Sequence, residues 1–320
     1  MSGPGDGTTQ LRDEAARVFA SGSYVHLFWY SYAESGTQDQ IRYRRSTDGG
    51  VTFTPTSVLA SSTDKTLGLP YAANPIVVDG ANVHVFFRKG NTIQYIQSSD
   101  NGATFSAAIS VAVHESPYGG DFAYYAAASG TGINLLWNSN KSGAQTATVS
   151  TSKDGGKTFT SAVLSAMAAG WPPTVMRDTL SVDDLVRDGN NVYALWRYSD
   201  GADYIAVNKM YISASFDGGA TFKTAQQFNV ASTNEGNPFY GTAINSSNYS
   251  PNLAALGTTC HLLWRNHDSY SMSGTNTSSL RTRILKDGIT LTDPITLKSY
   301  PSSQKGDPGD LGTIVAKGTH

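Results

Sequence analysis

The chain has 320 residues, 15% of them charged, and a formal net charge of −2. That balance leaves no electrostatic footprint for nucleic acid or anionic membrane, and no apolar run reaches membrane-spanning length. A single cysteine, Cys260, excludes an intrachain disulfide framework, and its run Cys260-His261-Leu262-Leu263-Trp264 reads as a strand with a buried structural thiol.

Residues 1–12 read as a tail. Their start, Met1-Ser2-Gly3-Pro4-Gly5, lacks the basic residues and apolar stretch of a signal peptide, although the expected setting is extracellular or a cell or virion surface. From residue 13 a strand pattern recurs. Val25–Tyr30 is echoed by Val83–Arg88, Ile133–Asn138, Val192–Arg197 and Cys260–Arg265, each short, apolar and aromatic, which suits central strands covered on both faces. A glycine turn precedes each, at Gly22, Gly80, Gly130, Gly189 and Gly257. The second repeat shows the whole unit: a first strand near Pro75–Val78, a turn at Asp79-Gly80-Ala81-Asn82, a second strand Val83–Arg88, a third near Thr92–Gln97, a loop, and an outer strand Ala107–Val113.

The loop carries the most specific pattern in the chain. Ser46-Thr47-Asp48-Gly49-Gly50-Val51-Thr52-Phe53 returns as residues 98–105, 152–159 and 215–222, always as S-x-D-x-G-x-T-F, with Asp48, Asp100, Asp154 and Asp217 spaced by 52, 54 and 63 residues. Asx-Gly pairs favour tight hairpins, because the Asx side chain bonds nearby amides and glycine accepts positive φ. The phenylalanine reads as a peg against the sheet. Lys286-Asp287-Gly288-Ile289-Thr290-Leu291 has the Asp, Gly and Thr but lacks the leading Ser and one residue of the loop, and reads as a decayed fifth copy.

Four-stranded antiparallel units at this period predict an all-β protein, a β-propeller of five complete repeats at about 13–65, 70–115, 121–168, 180–232 and 248–300, in one domain over 13–320. Residues 306–320 read as the first strand of an incomplete sixth repeat. The ring is then six-bladed, or five-bladed with an extra closing strand, or its open edge pairs with another chain.

The S-x-D-x-G-x-T-F pattern resembles the Asp box, or bacterial neuraminidase repeat, of the sialidase-like propellers. The resemblance implies a structural loop between the third and fourth strands of each blade, on the face away from the ligand. Asp48, Asp100, Asp154 and Asp217 are accordingly expected to hold loops and not to catalyse.

On the opposite face, the resemblance places the loops that include Tyr71, Tyr118, Asp121, Trp171, Tyr240 and Tyr249. Flat aromatic faces and polar tips of this kind suit a carbohydrate partner; loops packing on one another would use the same residues. Tyr30, Arg88, Asn138, Arg197 and Arg265 end the five second strands. A guanidinium fork binds a carboxylate in bidentate fashion, and sialidases hold the substrate carboxylate with an arginine triad, so Arg88, Arg197 and Arg265 are candidate ligand groups. The competing expectation is that each pairs with a neighbouring acid such as Asp200 or Asp268.

The Arg-Ile-Pro motif of sialidases is absent; the corresponding region reads Glu14-Ala15-Ala16-Arg17-Val18-Phe19. Glu115, Glu235, Tyr240, Tyr249, Asp64 and Asp121 offer the acids and phenols that glycoside hydrolysis uses, but no motif assigns a catalytic role among them. No cofactor or metal pattern is present in the sequence. The expected functions are glycan recognition with or without exo-acting hydrolysis of sialidase type, a lectin-like or adhesin module, or a propeller that serves as a protein-interaction platform.

Overall fold

The computed structural model describes residues 11–33, 38–64, 66–70, 74–114, 124–141, 144–166, 179–200, 207–228, 251–269 and 277–300. The chain forms two compact units, residues 1–116 and 117–320. All described secondary structure is β.

The first unit holds two sheets. One is β1 (Leu11–Ser21), β2 (Tyr24–Ala33), β3 (Asp39–Ser46) and β4 (Ser57–Ser62), in chain order and antiparallel throughout. The other contains β5 (Leu67–Gly68), β6 (Ile76–Asp79), β7 (Asn82–Lys89), β8 (Thr92–Ser98) and β9 (Ile109–Val113). Here the first strand is split, because β5 and β6 both pair with β7.

Three sheets make up the second unit. The first is β10 (Tyr124–Ser129), β11 (Gly132–Lys141), β12 (Ala144–Ser152) and β13 (Thr160–Ala166). The next is β14 (Thr179–Asp188), β15 (Asn191–Asp200), β16 (Val207–Ser215) and β17 (Gln226–Gln227). The last is β18 (Asn252–Leu256), β19 (Thr259–Ser269), β20 (Thr277–Lys286), β21 (Thr290–Leu291) and β22 (Ile295–Tyr300), the final two both pairing with β20.

Within each unit, successive sheets meet through their first strands, β1 with β6, and β10 with β14 and β14 with β18. Four-stranded meanders packed in this way are consecutive blades of a β-propeller. The second strands are central, as their composition demands. Val192 to Trp196 on β15 are all fully buried, and β7 is buried from Val83 to Phe87. Enclosing such a side chain contributes about 1.5–3 kcal/mol, so these runs fix the register of each sheet. In the second unit the core joins Leu195, Met210, Ile212 and Phe228 of one sheet to Leu253, Leu262, Trp264 and Leu285 of the next. Cys260 lies in this core, fully buried, with its thiol pushed up by desolvation.

The strands run longer than their apolar cores suggest. β15 continues from Arg197 to Asp200 and β19 from Arg265 to Ser269, so these arginines lie inside their strands and do not end them. Polar residues continue the ladder because the third strand still pairs with them, as in Ser199 with Asn208.

Candidate functional site

Each sheet has two distinct ends. At one end lie the glycine hairpin between its first and second strands and the loop after its third strand, which carries S-x-D-x-G-x-T-F in four of the five sheets. In all four copies the serine hydroxyl donates to the aspartate, as Ser46 does to Asp48 at 2.6 Å. The same serine accepts the second loop amide, as from Gly50 at 2.9 Å. The threonine amide and hydroxyl both donate to the carboxylate, at 2.9 and 2.6 Å in the first copy. With its acceptor sites filled by fixed donors, each of Asp48, Asp100, Asp154 and Asp217 is held well below the usual carboxylate range, Asp217 against a desolvation that acts the other way.

Two consecutive residues of positive φ close every loop: Gly49 and Gly50, Asn101 and Gly102, Gly155 and Gly156, Gly218 and Gly219. The first of each pair donates its amide to the neighbouring hairpin, as Gly49 does to Ser23 at 2.8 Å. The fifth loop closes differently. Asp287 and Gly288 have positive φ, and the Asp287 amide donates to Thr258 at 3.1 Å. By φ and this amide bond Asp287 takes the place of the first glycine, while by strand register it follows Leu285 as Asp48 follows Ser46, so the loop is one residue short. Buried Leu285 pairs with Cys260 as Ser46 pairs with Val25, so the serine that would tether a carboxylate is missing.

Arg88, Arg197 and Arg265 lie toward the other end of their strands. Of the aromatic and acidic loop residues, Tyr71, Tyr118, Asp121, Trp171, Tyr240 and Tyr249 lie outside the described residues, as do Glu115 and Glu235. Asp64 follows β4. It accepts the Ser62 hydroxyl and, at 2.5 Å, that of Thr66, which bring its pKa down to about 2, the wrong direction for a general acid.

Arg88 pairs in register with Gly68, and its Nε would lie 3.6 Å from a Cβ placed there, so the guanidinium covers a strand with no side chain to displace it. Arg265 pairs with Leu280 on β20; its side chain is outside the described residues, as are those of Asp200 and Asp268. Asn138, at the corresponding position of β11, donates from Nδ2 to the Leu180 carbonyl at 3.3 Å.

Arg197 is the best defined. Its Nη2 lies 3.4 Å from Oδ1 of Asp183, with 15% of the arginine side chain and 1% of the aspartate accessible. The acid comes from the neighbouring first strand. β14 carries a bulge between Val182 and Asp184, so Asp183 is an extra residue without a partner in the β14–β15 register. Bulges re-aim side chains in this way. Burial pushes Asp183 up to about 6 although Arg197 pulls it down. The adjacent Asp184 accepts the amides of Leu185 and Leu253, each at 2.8 Å, and burial pushes it up to about 7. Three buried polar atoms near this level, Asp183 Oδ2, Trp196 Nε1 and Asn138 Oδ1, have no hydrogen-bond partner among the described residues. Buried polar atoms are rarely left so.

Asp183 and Asp184, which stand beside the candidate Arg197, were not singled out by the sequence reading. The available signal was two adjacent acids in the apolar run Leu180-Ser181-Val182-Asp183-Asp184-Leu185-Val186. Among the described residues no cluster of three or more His, Cys, Asp or Glu side chains could hold a metal ion.

No protein-family model matches the chain, and no curated protein matches its sequence. Solved structures resemble it in backbone path. An endo-arabinase from Bacteroides thetaiotaomicron is 15% identical, over 73% of this chain and 85% of its own, with a TM-score of 0.39. The endosialidase of phage phi92 is 7% identical, over 87% of this chain and 56% of its own, with a TM-score of 0.48. A polysaccharide lyase, an ulvan lyase, is 9% identical, over 93% of this chain and 72% of its own, with a TM-score of 0.49. Likeness of this degree says nothing of residues or chemistry.

Proposed function

We propose that this chain is a glycan-recognising β-propeller protein whose ligand end is the one opposite the S-x-D-x-G-x-T-F loops, and that Arg197 takes the carboxylate of an acidic sugar. The observation that carries the reading is the Arg197–Asp183 pair. A guanidinium that keeps limited access to water is fixed by a buried acid that the β14 bulge delivers, and the second oxygen of that acid is unmatched among the described residues. Such a group is oriented before ligand arrives, which lowers the ordering cost of binding. The loops are Asp boxes in this reading, supported by four copies of one hydrogen-bond pattern, and the setting is extracellular or a cell or virion surface. The finer form of the proposal is exo-acting hydrolysis of sialidase type.

A non-catalytic, lectin-like module is the second reading, and a specific observation favours it. Asp183 is engaged by Arg197 and Asp184 by two backbone amides, so both carboxylates already serve the packing of the strands.

Release of a fluorogenic leaving group from a sialic acid glycoside, measured over a range of pH, tests the hydrolase. Retention on a panel of acidic and neutral glycans tests recognition. Recognition predicts retention of acidic glycans by the wild type and a clear drop in that retention in a folded Arg197→Ala variant; turnover lost in the same variant adds the hydrolase. A folded wild-type protein that retains no acidic glycan and turns none over would overturn the proposal.

A further inference from the structure

A polar cleft of about 400 Å³ lies at the loop end, far along the strands from Arg197, between the β10–β13 sheet and the β14–β17 sheet. Its volume falls in the range of small-molecule sites. Two cations line it. Lys153 comes from the loop of the first sheet and Arg187 from the first strand of the second. Both are departures from the repeat. Lys153 stands where the other three loops have Thr47, Ser99 and Phe216. Arg187, which pairs with Val192, stands where the other first strands have Ala20, Val78, Ala128 and Ala255. Two independent changes to a cation meet on one cleft.

The surroundings adapt to them. Arg187 donates from Nη1 to Asn134 Oδ1 at 2.5 Å and to the Gly218 carbonyl at 3.2 Å. Asn134 itself replaces the His26 and His84 of the first unit. The guanidinium lies so close over Gly132 that a Cβ there would overlap it. Asp217 also lines the cleft, but its carboxylate is filled by Ser215, Ala220 and Thr221 donors and turned into its own loop. The Lys153 ammonium has no partner among the described residues.

We infer that this cleft binds an oxyanion, the carboxylate or sulfate of an acidic sugar or the free inorganic ion, held between Lys153 and Arg187. The site is independent of Arg197.

The test follows backbone amide shifts of Gly132, Asn190 and Gly218 in the full chain, at constant ionic strength, during titration with D-glucuronate, with sodium sulfate and with neutral methyl glucoside. Saturable shifts are expected with the anions and none with the glucoside. Saturation by glucuronate alone would identify a carboxylated sugar as the ligand, and by sulfate alone a sulfate group, free or carried on a sugar. Affinity should fall at least tenfold in Lys153→Gln, recover in Lys153→Arg and stay unchanged in Arg197→Ala. Shifts that do not saturate with either anion, or that persist in Lys153→Gln, would overturn the inference. Lys153 is exposed, so the variant tests the cleft without disturbing the fold.

Discussion

Asp183 meets Arg197 at 3.4 Å because β14 gains one residue there, which brings an acid from a first strand to a base on the second. Removing one partner of a buried pair strands the other charge, typically at 3–5 kcal/mol. Arg197 keeps some access to water, so Asp183→Ala is expected to lose about 3 kcal/mol, the low end of that range. The double variant Asp183→Ala/Arg197→Met should recover part of that loss. Denaturant titration checks both, and a loss below about 1 kcal/mol in the single variant would mean the pair is not formed in solution.

The same acids set a pH dependence. Asp183 and Asp184 have native pKa values raised to about 6 and about 7 from 3.8. Between 3.8 and 7 the native state therefore binds more protons than the unfolded chain, and stability falls as pH rises through that window. Thermal unfolding should show a shallower fall in Tm from pH 4.5 to 7.5 in Asp184→Asn than in the wild type. An identical pH slope in the two proteins would show that Asp184 titrates near its ordinary value.

The loop carboxylates act in the opposite sense. Asp48, Asp100, Asp154 and Asp217 have depressed pKa values, so the stability they contribute is present above about pH 4 and is lost as pH falls below it. Asp154→Asn keeps the size of the side chain but replaces a carboxylate oxygen that accepts from Thr158 with an amide that donates. Its Tm should fall at pH 7, the gap to wild type should narrow at pH 3, and glycan retention should be unchanged. An unaltered Tm at pH 7 would contradict the hydrogen-bond account of the loop.

Much of the fold was legible because the repeat states it five times. The apolar runs place β7, β11 and β15, and the S-x-D-x-G-x-T-F loops fall at sheet ends where the serine, aspartate and threonine bond one another. At Asp287 the loop is one residue short, so φ and strand register align it with different positions of the full loop, which letters alone do not show. The acid partner of Arg197 was looked for at Asp200 and Asp268, close in sequence. Those side chains lie outside the described residues, and the acid that Arg197 meets among the described ones, Asp183, lies on another strand, at a bulge that period-2 patterning does not reveal. Arg187 and Lys153 were legible only as letters; their meeting depends on how two sheets pack.

Two glycines of similar backbone conformation separate local strain from packing. Gly49 has φ +73 with nothing within 4 Å of an added Cβ; Gly102 has φ +76, but its Cβ would overlap the Tyr43 hydroxyl, which is hydrogen-bonded to His26 Nδ1 at 2.7 Å. Gly49→Ala should therefore cost only the left-handed conformation, about 1–2 kcal/mol. Gly102→Ala adds an overlap with a buried ring that also packs edge-on against Phe105 at 5.1 Å, worth a further 1–3 kcal/mol or so for forced repacking. Adding Tyr43→Phe removes the nearest clashing atom and should return part of the difference, while still leaving the ring carbon 2.8 Å from the new Cβ. Denaturant titration of the four proteins measures each step. Equal losses for the two alanine variants would show that the loop after β8 does not seat against Tyr43 in solution.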